Sequence, residues 1–200
     1  MTTEERAGEI YRKYIEVICP YILNYELLAG SFPIAILNEI RAIFTHLSKH
    51  YLSSDDKIKE SNISKAEGHI KRTILDCYKY ICIAYDDEYK KFEKRYRYID
   101  LSLIDNGKFL PELLKARKNA VNLMKEAKKS DVEINSDDMV YSDEAFKKYE
   151  EAFIAYSSVY DNIGNSFENL EIVRKKAILK HIFAIGGWLI GIILAILSII

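Results

Sequence analysis

One apolar run, at residues 182–200, constrains this chain more than any other feature. It reads IFAIGGWLIGIILAILSII, in which no residue is charged and Ser198 is the one polar side chain. A helix of this length rises roughly 28 Å, about the thickness of the hydrocarbon core of a bilayer. Buried helices of soluble proteins rarely run so long without a charge. We therefore predict a C-terminal transmembrane helix at 181–200, preceded by a domain at 1–180.

Basic side chains flank this run on its N-terminal side, namely Arg174, Lys175, Lys176, Lys180 and His181. Because positively charged flanks are retained on the cytoplasmic side, this pattern predicts a single-pass protein with the bulk of the chain in the cytoplasm. The abundance of Lys, Ile, Tyr and Asn is typical of an A/T-rich bacterial genome. We therefore expect the membrane to be a bacterial inner membrane.

Small residues recur along one stripe of the predicted membrane helix, at Ala184, Gly187, Gly191, Ala195 and Ser198. Gly187 and Gly191 form a GxxxG pattern, which lets two helix backbones approach closely in lipid. The pattern favours a homo-oligomer. The alternative is that small residues are simply common in membrane helices.

The composition of 1–180 favours one all-α domain. The whole chain has only three prolines and eight glycines, and it shows little strand-type alternation. This predicts an antiparallel helical bundle whose last helix continues into the membrane. The net charge of −1 gives no general attraction for nucleic acid. Cys19, Cys77 and Cys82 lie in apolar helical patterns and indicate buried free thiols. Neither a metal site nor a cofactor is expected, because the sequence has no zinc-type Cys/His spacing, no P-loop and no GxGxxG motif.

Apolar periodicity divides the domain into helices. We predict helices from about Thr2 to Leu28 with a bend at Pro20, from Pro33 to Leu52, from Asn62 or Ser64 to Tyr98, from Leu110 to Lys129, and from Asp143 through Arg174 into the membrane. The second helix has a predicted core stripe at Leu37, Ile40, Ile43, Phe44, Leu47 and Tyr51. Loops are expected at Ser53–Glu60 and 130–142, with a softening of the last helix at 162–165.

Two polar clusters interrupt these helix faces. Glu39, His46 and His50 lie within about 40° on one edge of the second helix. His69, Arg72 and Asp76 are spaced three and four apart on the third. If these helices pack antiparallel, the side chains meet as a network. Such a network either fixes the register of the helices or forms a site.

Arg41 and His46 fit the pattern R-x4-H. This spacing resembles the motif of HEPN domains, all-helical bundles in which such residues, paired across a dimer, cut RNA without a metal. The resemblance implies that His46 acts as a general acid or base and that Arg41 holds the phosphate. Active members usually carry a polar residue after the arginine, where this chain has Ala42. That departure favours a divergent, inactive HEPN-like domain.

The layout as a whole, a short HEPN-like chain with one membrane segment, resembles the membrane accessory proteins of RNA-targeting type VI CRISPR systems. The resemblance implies an oligomeric pore that depolarises the inner membrane and strengthens antiviral defence. It implies as partners the membrane, further copies of the chain, and an RNA-guided CRISPR effector or its RNA products. Two alternatives remain open, a membrane-tethered HEPN-type ribonuclease and a non-catalytic tail-anchored scaffold.

Overall fold

The structure is a computed structural model that describes residues 1–133 and 143–197. Within these ranges the regular structure is entirely helical, without a strand. The helices are α1 (Thr3–Lys13), α2 (Cys19–Ala29), α3 (Ile34–Leu52), α4 (Asp56–Arg95), α5 (Phe109–Glu133), α6 (Asp143–Asn165) and α7 (Phe167–Leu197), with a π-helical turn at Tyr14–Ile18 and 3-10 turns at Leu101–Leu103 and Asp105–Gly107. The predicted all-α class is confirmed.

The first helical segment contains the predicted irregularity near Pro20. Thr2 and Glu5 form a capping box at its start. Between α1 and α2 the backbone widens into the π-helical turn, closed by a hydrogen bond from the Cys19 N–H to the Tyr14 carbonyl. The wide turn ends just before Pro20, whose ring cannot donate the usual helical hydrogen bond. Gly30 then ends α2 with a left-handed φ of 64°.

The long helix α4 is the centre of the domain, and α1, α2, α3 and α6 all pack against it. It begins at Asp56, so the predicted loop at Ser53–Glu60 is wrong from Asp56 onward. The Asp55 carboxylate caps the helix by accepting hydrogen bonds from the N–H groups of Lys57 and Ile58, at 2.8 and 3.4 Å. This cap starts the helix before its apolar periodicity becomes visible in the sequence.

Helix α3 lies antiparallel to α4, but its buried stripe differs from the predicted one. Ile40, Ile43 and Leu47 are buried as expected, together with Ile36 and His50. By contrast, Leu37, Phe44 and Tyr51 are 50%, 50% and 51% exposed. Within the described chain α4 is the helix against which α3 packs. One packing partner buries only a narrow stripe of a helix, so the outer half of the predicted stripe faces outward.

The C-terminal half adds α5 and α6, which pack against each other, while α6 also packs against α4. Helix α5 continues to Glu133, so residues 130–133 of the predicted loop are helical. The remainder of that loop lies outside the described residues. The break before α7 lies at Ser166, just after the predicted softening at 162–165, and the Leu170 N–H donates to the Ser166 carbonyl at 2.9 Å.

Helix α7 is long and apolar enough to cross a membrane. The segment Phe167–Ile196 has a mean hydropathy of 2.0 in its most apolar window, and none of that window is buried against the rest of the chain. The predicted boundary between residues 180 and 181 therefore falls within one continuous helix. Residues 198–200 of the predicted span lie outside the described residues.

Candidate functional site

A polar cluster joins α3 to α4 through Glu39. The Nδ1 atom of His69 donates to one carboxylate oxygen of Glu39 at 2.7 Å, and Nη1 of Arg72 lies 3.5 Å from the other. The three side chains are 19–33% exposed, so they lie at the edge of the core. The antiparallel packing of the two helices brings these residues together across 30 positions of sequence.

His46 extends this cluster by about two turns of α3. Its Nδ1 lies 2.9 Å from the amide oxygen of Asn62, and the Asn62 amide nitrogen donates to the Ile58 carbonyl at 2.8 Å. Because an amide oxygen only accepts, Nδ1 of His46 carries the proton. In the neutral ring, Nε2 is then the acceptor, and the same holds for His69 beside Glu39. When both rings are neutral, each therefore has an Nε2 lone pair that can accept a hydrogen bond.

Arg41 does not join this cluster. Five residues correspond to about 140° around a helix, so Arg41 and His46 point in different directions. Arg41 is exposed on the outer face of α3, and its carbonyl accepts a hydrogen bond from the Thr45 hydroxyl at 2.9 Å. Within one chain the R-x4-H residues do not converge. A site containing both requires Arg41 from a second copy.

His50 and Asp76 also lie apart from the Glu39 cluster. His50 is 1% exposed, and its Nδ1 is 3.2 Å from the Lys59 carbonyl. Its Nε2 is 3.6 Å from a carboxylate oxygen of Glu4, so it links α3 and α4 to the start of α1. Asp76 lies 3.9 Å from the Lys79 ammonium and lines a groove between α4, α5 and α6.

A second charged cluster, absent from the sequence-based prediction, joins the end of α4 to the start of α7. Glu171 accepts hydrogen bonds from Nε of Arg95 at 3.0 Å, Nη2 of Arg174 at 2.7 Å and the Tyr96 hydroxyl. These bonds, led by the one from Arg174, lower the pKa of Glu171 to about 2. Burial and the Glu171 contact raise the pKa of Tyr96 to about 12. The cluster holds the N-terminal end of α7 against the end of α4.

The small residues predicted to drive self-association lie along α7. A Cβ atom added at Gly187 or Gly191 would meet nothing within 4 Å, so both positions can accept an approaching helix. Ala184 is exposed and Ala195 lies on the same helix, whereas Ser198 is outside the described residues.

The described residues contain no group of three or more His, Cys, Asp or Glu side chains placed to hold a metal ion. Cys77 and Cys82 are free and buried. Burial raises the pKa of each thiol to about 12, so both remain protonated at neutral pH and are poor nucleophiles.

Comparison of the chain with models of known protein families, with curated proteins and with solved structures finds no match.

Proposed function

We propose that this chain is a self-associating protein of the bacterial inner membrane that depolarises the membrane as an oligomeric pore. Its domain at 1–180 lies in the cytoplasm, and the part of α7 after residue 180 crosses the bilayer. The main support for the proposal is the apolar half of α7, which does not pack against the domain and has its large side chains exposed. Exposure of such an apolar surface to water is unfavourable, whereas contact with lipid or with other copies of the helix removes it from water.

Self-association is supported by a second apolar surface on the domain itself. Leu23 and Leu27 on α2 are 61% and 86% exposed, and Ile34 on α3 is 72% exposed. The outward Leu37 and Phe44 extend the same outer side of α3, around Arg41. Leu23 and Leu37 line one groove, and grouped apolar side chains of this kind are typical of subunit contacts. An oligomer would bury them outside the membrane while α7 associates within it.

The proposed biological role is antiviral defence. The resemblance to the HEPN-like accessory proteins of type VI CRISPR systems is the support for this part. We expect an RNA-guided effector, or the RNA products it releases, to activate the pore. The Glu39, His46, His69 and Arg72 cluster then serves to fix α3 against α4 rather than to cut RNA.

A membrane-tethered ribonuclease is the second candidate, and the same cluster favours it. His46 and His69 each have an Nε2 lone pair when neutral, and Arg72 lies beside them with a guanidinium that can hold a phosphate. In this candidate Arg72 is the arginine of the same chain, and Arg41 is supplied by a second copy.

Membrane potential and RNA cleavage separate the two candidates. Wild-type protein is expressed with an activated partner effector, and the membrane potential is followed with a voltage-sensitive dye. Purified full-length protein is assayed in parallel on RNA without metal. The variants are Arg41→Ala and His46→Ala, with Thr45→Ala as the matched control on the same exposed side of α3.

The pore proposal expects depolarisation by the wild type and by Thr45→Ala, and no RNA cleavage by any of them. Cleavage that is lost in His46→Ala, with membrane potential unaffected, would replace the pore with the ribonuclease. If the wild type neither depolarises the membrane nor cleaves RNA, the non-catalytic scaffold remains as the third candidate.

A further inference from the structure

A cleft of about 750 Å³ lies where the end of α4 meets the end of α6 and the start of α7. It borders the Glu171 cluster, and no residue of the Glu39 cluster lines it. Gly164 belongs to the α6 wall, and a Cβ atom added there would meet nothing within 4 Å. The missing side chain therefore leaves room for a small molecule between the helices.

The apolar part of the cleft is aromatic. Phe92 and Tyr96 are 7% and 4% exposed and form its base, whereas Tyr160 and Phe167 are 37% and 51% exposed and form its open edge. The Arg95 guanidinium lies 5.9 Å from the centre of the Phe167 ring. A partly exposed ring of this kind can stack on a planar ligand that enters from solvent.

Two arginines of the cleft are held in place by one carboxylate. Arg95 donates to Glu171 through Nε and Nη2, at 3.0 and 2.9 Å, and Arg174 donates through Nε and Nη2, at 3.1 and 2.7 Å. Within the part of the chain that the structure describes, Nη1 of neither arginine donates a hydrogen bond. Because both guanidinium groups are already fixed, their Nη1 donors can bind an anion at little further cost in side-chain entropy.

Positive charge exceeds negative charge around the cleft. The cations that line it are Lys91, Lys94, Arg95 and Arg174. Glu88 pairs with Lys91 at 2.6 Å, and Glu171 is shared by the two arginines. Four cations against two carboxylates leave a charge of +2, which a phosphate monoester of charge about −2 would balance.

The position of the cleft along α7 shows which ligands can reach it. Arg174 and Phe167 lie eight and fifteen residues before Ile182, where the apolar run begins. These separations correspond to about 12 and 22 Å of helix, whereas the headgroup layer extends roughly 5–8 Å beyond the hydrocarbon. If α7 spans the bilayer from Ile182, the cleft opens into the aqueous phase. Its ligand is then a soluble molecule.

We propose that this cleft binds a nucleoside phosphate. The base stacks on Phe167, and the phosphate oxygens accept hydrogen bonds from the Nη1 groups of Arg95 and Arg174. Arg95 already lies over the edge of the cleft beside Phe167, so one ligand can contact the ring and the guanidinium together. Aromatic stacking combined with cations for the phosphate is a general way in which proteins hold nucleotides. The inference goes beyond the proposed function and does not require a pore.

The test uses the full-length chain in a neutral detergent and isothermal titration calorimetry. The probes are the four common ribonucleoside monophosphates, their nucleosides and ribose 5-phosphate. We expect the preferred monophosphate to bind at least tenfold more tightly than its own nucleoside and than ribose 5-phosphate. Ribose 5-phosphate of equal affinity would indicate a simple anion site. That result, a nucleoside of equal affinity, or no binding by any monophosphate would overturn the proposal.

A substitution that fills the cleft tests its location. Gly164→Leu puts a side chain into the open space of the α6 wall and should weaken binding at least tenfold. Gly68→Leu is the matched control, because a Cβ atom at Gly68 on α4 also meets nothing within 4 Å and Gly68 does not line the cleft. Leucine favours a helix more than glycine does, so both variants should fold. Equal affinities of the two variants would place the ligand elsewhere and overturn the proposal.

Two conservative substitutions test the assigned contacts. Arg95→Lys keeps the charge but loses the guanidinium donors, so binding should weaken about tenfold. Arg97→Lys is its control, since Arg97 is exposed and lines a different groove. Phe167→Leu should weaken binding about tenfold, and Phe167→Tyr, which keeps the ring, should restore it. Equal effects within either pair would contradict the corresponding contact.

Folding and membrane function are measured separately. Melting without ligand, followed by circular dichroism, should be similar for the variants and the wild type. If Arg95→Lys melts at a lower temperature, Gly164→Leu and Phe167→Leu decide the outcome, because they leave the hydrogen bonds of Glu171 intact. Calorimetry in detergent does not depend on depolarisation, so a failure of the nucleotide cleft and a failure of the pore are distinguished.

Discussion

The imidazole rings of His46 and His69 stack between α3 and α4, with centroids 5.3 Å apart and planes inclined by 19°. Each ring is held on its Nδ1 side, His46 by Asn62 and His69 by Glu39. A slip of either helix by one residue would rotate one ring away by about 100° and break its hydrogen bond. The stacked pair therefore specifies how the two helices align.

The Glu39–His69 hydrogen bond should contribute measurable stability. We expect Glu39→Ala and His69→Ala each to lower the free energy of unfolding by about 1–3 kcal/mol, because each leaves a half-buried polar partner unsatisfied. The double variant should cost less than the sum of the two, since the second change removes the stranded partner. Denaturant unfolding of the full-length chain in detergent measures all three.

Ser48→Ala is the matched control, because Ser48 is exposed on α3 and its hydroxyl donates to the Phe44 carbonyl of the same helix. It should leave stability nearly unchanged. Strict additivity of the Glu39 and His69 effects would show that the two side chains do not act on each other.

The contact between Glu39 on α3 and His69 on α4 could be predicted from the sequence, because it depends on the spacing of residues within each helix. Glu39 and His46 share one edge of α3, and an antiparallel neighbour with His69 on one face completes the cluster. The outward position of Leu37 and Phe44 could not be predicted in the same way. A stripe of apolar residues shows that a helix has a buried side, but its width depends on how many helices pack against it.

Arg6 anchors α1 to α4, and the shape of its guanidinium should matter more than its charge. Its Nε and Nη2 donate to the two carboxylate oxygens of Glu67 at 2.8 and 2.6 Å, and it also contacts Glu60. This pairing lowers the pKa of Glu67. Arg6→Lys keeps the charge but loses the two-pronged geometry, so we expect a loss of about 1 kcal/mol in the free energy of unfolding.

Arg12→Lys provides the comparison, since Arg12 is exposed and makes a single contact with Glu9 at 2.9 Å. An exposed pair of this kind contributes about 0–1 kcal/mol, and lysine can replace it. Equal effects of the two substitutions would contradict the importance of the paired geometry.

The Glu171 cluster predicts a stability that depends on pH. The pKa of Glu171 is lowered from 4.5 to about 2, so its ionised form is favoured by folding. The stabilisation is complete above pH 4.5 and is lost as the pH falls toward 2. Glu171→Gln should therefore lower the denaturation midpoint at pH 7, and the difference from the wild type should narrow below pH 4.5.

Glu168→Gln is the control for this measurement, because Glu168 is exposed in the first turn of α7, three residues before Glu171. It removes the same charge near the start of the helix without touching Arg95, Tyr96 or Arg174. A Glu168→Gln effect that equals that of Glu171→Gln would mean that the helix terminus, and not the cluster, is responsible.

This cluster could not be found from the sequence, because Arg95 and Tyr96 lie 76 and 75 positions before Glu171. Only the Glu171 and Arg174 pair has a helical spacing, and such pairs are common on exposed faces.

The predicted break between α6 and α7, at 162–165, was placed slightly before the observed one at Ser166. Gly164 weakens a helix by about 1 kcal/mol, which neighbouring packing can offset, so its presence does not locate the end of α6.

The last prediction concerns Gly187 and Gly191 in the membrane. Replacing both with leucine puts bulky side chains on the stripe where two helices are proposed to approach, so the oligomer in detergent should become smaller by mass photometry.

Gly186→Leu is the matched control. Gly186 lies about 100° around the helix from Gly187, and a Cβ there also meets nothing within 4 Å of the same chain. It adds one leucine to the same helix without blocking the stripe, so the oligomer should keep its size. If the double variant also keeps its size, association must come from the domain, where Leu23, Leu27 and Ile34 offer an exposed apolar surface.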